Sequence, residues 1–179
     1  MKILATEIDG LQVIEPPVFN DARGYFFETY NARNYQLPDA GAFVQDNEAK
    51  SDKGVLRGLH FQKGEHAQGK LVRVVKGSVY DVAVDIRMGS NTFGLWFGIE
   101  LSADNKKQLW IPRGFAHGYL VLEDDTIFSY KCDNYYNKSA EGGLRYDDDE
   151  LSISWPDVGI PFVISEKDLT LGSLAQLIS

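Results

Sequence analysis

The sequence predicts an all-β protein, a sandwich or barrel of many short strands with short helices only at its periphery, one of them C-terminal. Three observations carry this. From Ala42 onward, β-prone runs recur at roughly even spacing with Gly, Asp and Asn turn signals between them. Aromatic residues make up 12% of the chain, and 10 Phe with 9 Tyr outnumber 2 Met and 3 Trp, a balance that fits half-buried sheet surfaces. Alternation is clean in Ser78–Arg87, where Tyr80, Val82, Val84 and Ile86 share one face and Val79, Asp81, Ala83 and Asp85 the other.

Taken in order, residues 1–20 read as extended and are closed by Pro16-Pro17. Gly24–Tyr30 is strongly β-prone, and Asn31–Leu37 has the length of one short helix that Pro38 stops. Strands are expected at Phe43–Asn47, Val55–Gln62 and Lys70–Val75, with Lys76-Gly77 as a hairpin turn into Ser78–Arg87. Further strands are expected at Phe93–Leu101, Gln108–Ile111, Gly118–Leu122 and Thr126–Cys132, with turns at Ala103-Asp104-Asn105 and Glu123-Asp124-Asp125. Leu151–Trp155 reads as a last strand before Pro156, and Ser165, Glu166 and Asp168 open a helix within Ser165–Ser179.

With 179 residues the chain is expected to form a single domain, 1–179, long enough to bury a core. Its 44% hydrophobic and 25% charged residues are those of an ordinary globular protein. A net charge of −8 argues against a nucleic-acid partner, which needs clustered Lys and Arg, but a few local arginines can still bind a phosphate. Cys132 is the only cysteine, so neither an intrachain disulfide nor a Cys-rich zinc site is expected. The N-terminus meets charge too early for a signal peptide, and no run of about 18 apolar residues occurs. The expectation is a cytoplasmic protein with no membrane span.

Chemistry concentrates in Gly54–Gly77. His60 lies in an apolar β-type run ten residues before Lys70, which sits in a Val-rich strand. Ionisable groups are costly inside an apolar sheet unless they are partnered or used. A candidate base and a fixed cation are the minimum set for removing a proton next to a carbonyl. His117 closes Pro112-Arg113-Gly114-Phe115-Ala116-His117, a Pro-x-Gly-x-x-His spacing that resembles the second half of the cupin signature. Metal-binding cupins carry His-x-His; here the first motif reads His60-Phe61-Gln62, and His66 lies six residues on, across a turn. No metal site is expected.

The resemblance extends along nearly the whole chain. Asp21–Glu28, Gln45-Asp46-Asn47, Gly54–Gln62, Gln68–Val72, Asp81–Arg87, Pro112–Gly118, Tyr130-Lys131-Cys132 and Ser165–Asp168 occur in order and at the spacing of one cupin family. On them the chain resembles the dTDP-4-dehydrorhamnose 3,5-epimerase family. The resemblance implies a cupin-type jelly-roll barrel and a dTDP-linked 4-keto-6-deoxyhexose as substrate. Its C3 and C5 would be inverted by proton removal next to the C4 ketone, in the synthesis of an L-rhamnose precursor. The ketone delocalises the carbanion, so no cofactor is implied.

By resemblance His60 is the base, Asp168 holds its other ring nitrogen, Lys70 faces the C4 oxygen and Tyr130 returns a proton to the opposite face. His117 and Asp81 would help line the pocket. Arg23 and Arg57 would grip the diphosphate, with Phe26 in the Arg23 segment. Glu28, Gln45, Asp46 and Asn47 would contact the pyrimidine, Tyr136 would stack on it, and Glu141 and Lys167 would add polar contacts. The Arg23 segment would complete the neighbouring subunit's pocket, giving a homodimer that shares strands from about residues 1–50. Strict alternation groups Leu56, Gly58, His60 and Gln62 and sends Arg57 to the other face, unless Gly58 marks a bulge.

Local departures from the family pattern are a loop at Lys63–Ala67 without prolines, Asp149 in place of a proline, and Ala49 in place of a serine. Three other readings stay open on sequence alone. They are an epimerase acting at C3 or C5 only, a metal-dependent cupin enzyme, and a non-catalytic sugar-nucleotide binding module.

Overall fold

The structure, a computed structural model, describes residues 1–178. Its strands are β1 (Lys2–Ala5), β2 (Gln12–Glu15), β3 (Phe19–Asp21), β4 (Gly24–Phe26), β5 (Gln45–Ser51), β6 (Val55–Gln62) and β7 (Lys70–Lys76). They continue as β8 (Ser78–Asp85), β9 (Trp96–Ser102), β10 (Gln108–Ile111), β11 (Phe115–Val121), β12 (Thr126–Cys132), β13 (Glu141–Gly143) and β14 (Val163–Ile164). Two short helices close the chain, α1 (Glu166–Leu169) and α2 (Leu174–Ile178). Among the described residues no helix is long and apolar enough to cross a membrane.

Two six-stranded sheets pack face to face as a jelly roll. Sheet I runs β1-β2-β10-β7-β12-β5; sheet II runs β13-β6-β11-β8-β9, with β14 added in parallel beside β6. Between them lies the main core, built from the inward residues that period-two alternation selects: Val72 and Val74 of β7, Val79 and Ala83 of β8, Leu109 and Ile111 of β10, Tyr119 and Val121 of β11, Phe128 of β12. The Tyr119 and Phe128 rings stack across the two sheets with centroids 4.1 Å apart. The outer faces are covered unequally. Tyr30, Tyr35, Leu37 and Phe43 cap Ile14, Leu71 and Trp110 of sheet I. The segment from Leu144 to Leu177 covers Leu59, Val82, Val84 and Ala116 of sheet II. At the end of β8, burial pushes the Asp85 carboxyl up, but Arg87, Ser90 and Thr92 outweigh it and bring it down to about 2.

Most expected strands are present, and four differences have local causes. Lys76-Gly77 is not a hairpin turn: β7 belongs to sheet I and β8 to sheet II, so this pair is the corner where the chain changes sheets. A hairpin and a corner ask the same of Gly77, a positive φ (here 77°), and look alike in sequence. Asn31–Leu37 makes one turn, Tyr35 N–H to Asn31 O, and no helix. The side chains of Asn31 and Asn34 both donate to Glu28 (2.9 Å each), which ties the turn back instead of propagating it. Leu151–Trp155 is extended and buries Leu151, Ile153 and Trp155 against sheet II, yet makes no ladder and is a strap. Of Gly24–Tyr30 only β4 pairs, with β3, as a hairpin whose Phe19, Tyr25 and Phe26 are 63, 58 and 72% exposed. Ser179, the end of the expected C-terminal segment, lies outside the described residues.

Candidate active site

β6 carries the centre of the site, and Gly58 sets its geometry. On this strand Leu56, Leu59 and Phe61 face the outer clusters of sheet II, whereas Arg57, His60 and Gln62 border the interior cavities. Alternation therefore slips between residues 57 and 60. The β6–β11 register shifts at the same place, between His117 and Tyr119. Gly58 has φ +115°, and a Cβ on it would lie 2.6 Å from Gly118 Cα and 2.7 Å from the His117 carbonyl. Only glycine fits there. The irregularity puts Arg57 and His60 on one face, which strict alternation forbids.

The C-terminal segment supplies the partner of His60. β14 pairs in parallel with the start of β6, and the following turn of helix is capped by Ser165, whose Oγ accepts the Asp168 N–H at 3.1 Å. Asp168 is thus not the cap. Its buried carboxylate (side chain 4% exposed) accepts from His60 Nε2 at 2.7 Å and from the Gly58 N–H at 3.1 Å. Because a carboxylate can only accept, Nε2 holds the proton and Nδ1 presents its lone pair. Burial lowers the His60 pKa most, Asp168 pushes it back up, and Lys70 and Lys167 lower it further; the net direction is down. The imidazole is neutral near pH 7 and able to take a proton.

Facing His60 are Lys70 of β7 and Tyr130 of β12. The Lys70 ammonium makes no hydrogen bond or ion pair with any described residue, and burial depresses its pKa, with Cys132 and Asp81 acting the other way. The Tyr130 hydroxyl likewise has no hydrogen-bond partner among the described residues, and burial raises its pKa. An ammonium and a phenol left without partners inside a barrel can serve something that enters it. Cys132 lies next to Lys70, its thiol pushed up to about 11 by burial, and is no nucleophile. Deeper in, His117 Nε2 is held by both oxygens of Asp81 (3.0 and 3.1 Å), and both side chains are buried.

Two connected spaces share His60, Lys70 and Tyr130. The outer one, about 360 Å³, is also bordered by Gln45, Asn47, Tyr136 and Glu141. The inner one, about 150 Å³, adds Arg57, His117 and Tyr119. Tyr136 is fixed above the outer space: its N–H donates to Gln45 Oε1 at 3.0 Å and its hydroxyl to Glu141 at 3.3 Å. Glu141 also pairs with Lys167. Gln62 and Gln68 were not among the expected site residues. They border the outer space and hold the Asn134–Asn137 loop through the Asn137 N–H (2.9 Å) and the Asn134 carbonyl (2.8 Å). Alternation from His60 already marks Gln62, whereas Gln68 lies in a loop and has no period to betray it.

Four expected residues stand elsewhere. Asp46 alternates to the outer face of β5 and pairs with Lys131 at 2.9 Å, while its neighbours Gln45 and Asn47 face the cavity. Glu28 is engaged by Asn31 and Asn34 outside sheet I. Arg23 sits in the exposed β3–β4 hairpin, paired with Asp21 at 2.6 Å, and Phe26 beside it is open. Neither borders the outer or the inner space. His66 is bonded to the Asn137 amide (2.9 Å), and no cluster of three or more metal-ligating side chains occurs among the described residues.

A jelly-roll barrel holding a neutral imidazole braced by a carboxylate, with a free ammonium and a free phenol across the cavity, is built to move protons on a carbonyl compound; its class is the cupin-fold isomerases. Residues 5–176 match the dTDP-4-dehydrorhamnose 3,5-epimerase family. The enzyme of that name from Escherichia coli K12 is 50% identical over 180 residues, 99% of this chain and 97% of its own. The crystal structure of the Elizabethkingia anophelis enzyme is 51% identical with a TM-score of 0.91, covering 98% of this chain and 97% of its own. That of the Legionella pneumophila epimerase, in complex with dTDP-4-keto-L-rhamnose, is 48% identical with a TM-score of 0.93, covering 98% and 96%. The chain belongs to the dTDP-4-dehydrorhamnose 3,5-epimerase family and is an isomerase.

Proposed function

We propose that the chain converts dTDP-4-dehydro-6-deoxy-D-glucose into dTDP-4-dehydro-L-rhamnose by inverting C3 and then C5, or the reverse, through enolates of the C4 ketone. The carrying observation is the 2.7 Å His60–Asp168 contact facing the unpartnered Lys70 and Tyr130. In this reading His60 Nδ1 removes the proton at each carbon, and the Asp168 carboxylate stabilises the imidazolium that forms. The Lys70 ammonium lies against the C4 oxygen, where negative charge develops, and a low-dielectric cavity strengthens that interaction. Tyr130 returns a proton on the face opposite His60, so the centre inverts instead of exchanging in place. His117 and Asp81 shape the floor of the sugar chamber.

The nucleotide occupies the outer space. Tyr136 stacks on the base, Gln45 and Asn47 offer amides to its edge, Glu141 and Lys167 flank it, and Arg57 grips the diphosphate. The working unit is a homodimer in which the β3–β4 hairpin carries Arg23 and Phe26 to the partner's cavity. What supports this is that both residues are exposed and border neither the outer nor the inner space of their own chain. The strands shared between subunits lie within about residues 1–50, of which β1, β2 and β5 also pair within their own chain.

The test is solvent exchange. In D2O the enzyme is expected to place deuterium at both C3 and C5, read by NMR. Label at one carbon only replaces this reading with a single-site epimerase, and none at either rejects enolate chemistry.

A further inference from the structure

Tyr119 is a second phenol in the inner chamber, and the mechanism above does not use it. It projects from β11 next to the register shift, opposite Arg57 on β6 and Asp81 on β8. Its ring is buried, 6% exposed, and stacks on Phe128 at 4.1 Å, which fixes the side chain. A buried tyrosine ordinarily gives its hydroxyl a protein partner. This one makes no hydrogen bond to any described residue. The hydroxyl is also not among the polar atoms sealed off without a partner. It therefore meets the open space it borders, the chamber of about 150 Å³ shared with His60, Lys70, Tyr130 and His117. That space is roughly the volume of five waters, suited to a sugar ring and too small for a nucleotide.

Protonation decides what this hydroxyl can do. Burial raises its pKa strongly, Arg57 offsets part of that, and Tyr130 and Asp81 add to the rise. A phenol so weakly acidic keeps its proton and donates a hydrogen bond without transferring anything.

We propose that Tyr119 donates a hydrogen bond to the hexose of the substrate and is a specificity-determining residue for the sugar. This rests on the reading that the inner chamber holds the sugar. Arg57 and Tyr119 divide the labour on one wall: the guanidinium, steadied by Ser51 Oγ at 3.0 and 3.2 Å, keeps its remaining donors for the diphosphate, and the phenol meets a hydroxyl or carbonyl of the ring.

Tyr119→Phe removes the hydroxyl and keeps the ring and its stack. One neutral hydrogen bond corresponds to about a three- to tenfold change. The expected result is a KM for the dTDP-4-keto sugar raised by that factor, with dTDP affinity by calorimetry and the melting temperature unchanged. An unchanged KM overturns the proposal, and so does an equal loss of dTDP affinity, which would place the hydroxyl at the diphosphate. Failure of the underlying reading shows separately, as absence of C3 and C5 exchange in the wild-type enzyme.

Discussion

His60 keeps a depressed pKa although a carboxylate lies 2.7 Å away, because burial outweighs the pair. The sign fixes a pH profile. With the imidazole already neutral at pH 7, the acid limb of kcat/KM falls below the ordinary 6.5, and Lys70 puts the alkaline limb below 10.5. Asp168 is the group that raises the His60 pKa, so Asp168→Asn is expected to move the acid limb further down. The rate at the plateau drops on the order of a hundredfold or more, since an amide can donate to Nε2 and impose the wrong tautomer. A variant with an unmoved limb and full rate removes Asp168 from the mechanism. Much of this was legible residue by residue: His60, Lys70, Tyr130 and Asp168 converge although the last is 108 positions from the first. The placement of Asp46 was not legible, because a family block names neighbours while a strand sends alternate ones to opposite faces; that of Glu28, past the end of β4, depends on Asn31 and Asn34.

At the scale of elements, β6 is the strand that carries His60 and Arg57, and its irregularity at Gly58 puts the two on one face. In sequence, Gly58 was a candidate bulge only through the resemblance, which asks Arg57 to reach the ligand; the slip itself depends on Gly118 and His117 of β11, which no local pattern contains. Gly58→Ala pushes a methyl group into that strand at a backbone conformation alanine rarely adopts. The expected cost is on the order of 3 kcal/mol, read as a lower midpoint in urea, with loss of activity as Arg57 and His60 part company. A variant as stable and active as the parent would show that the slip has another cause. Other elements failed in the sequence for similar reasons. The turn at Asn31–Tyr35 is held by Glu28, and the strap at Leu151–Trp155 alternates like a strand while joining no ladder. Hydrophobic period reports burial, not hydrogen bonding.

At the scale of the whole molecule, two sheets enclose a cavity in which Arg57 is the one arginine lining the outer and inner spaces among the described residues. If Arg23 serves the partner, two dead variants should repair each other. Arg23→Ala and His60→Ala, each inactive as a homodimer, are expected to regain activity when co-expressed, because a mixed dimer contains one site with both residues intact. No recovery in verified mixed dimers would assign Arg23 to another task. The most direct test of the central claim, that His60 is the base, is deuterium uptake by the His60→Ala enzyme saturated with the dTDP-4-keto sugar. The account predicts that incorporation at C3 and C5 disappears while dTDP still binds with near wild-type affinity; exchange persisting at the wild-type rate would contradict it.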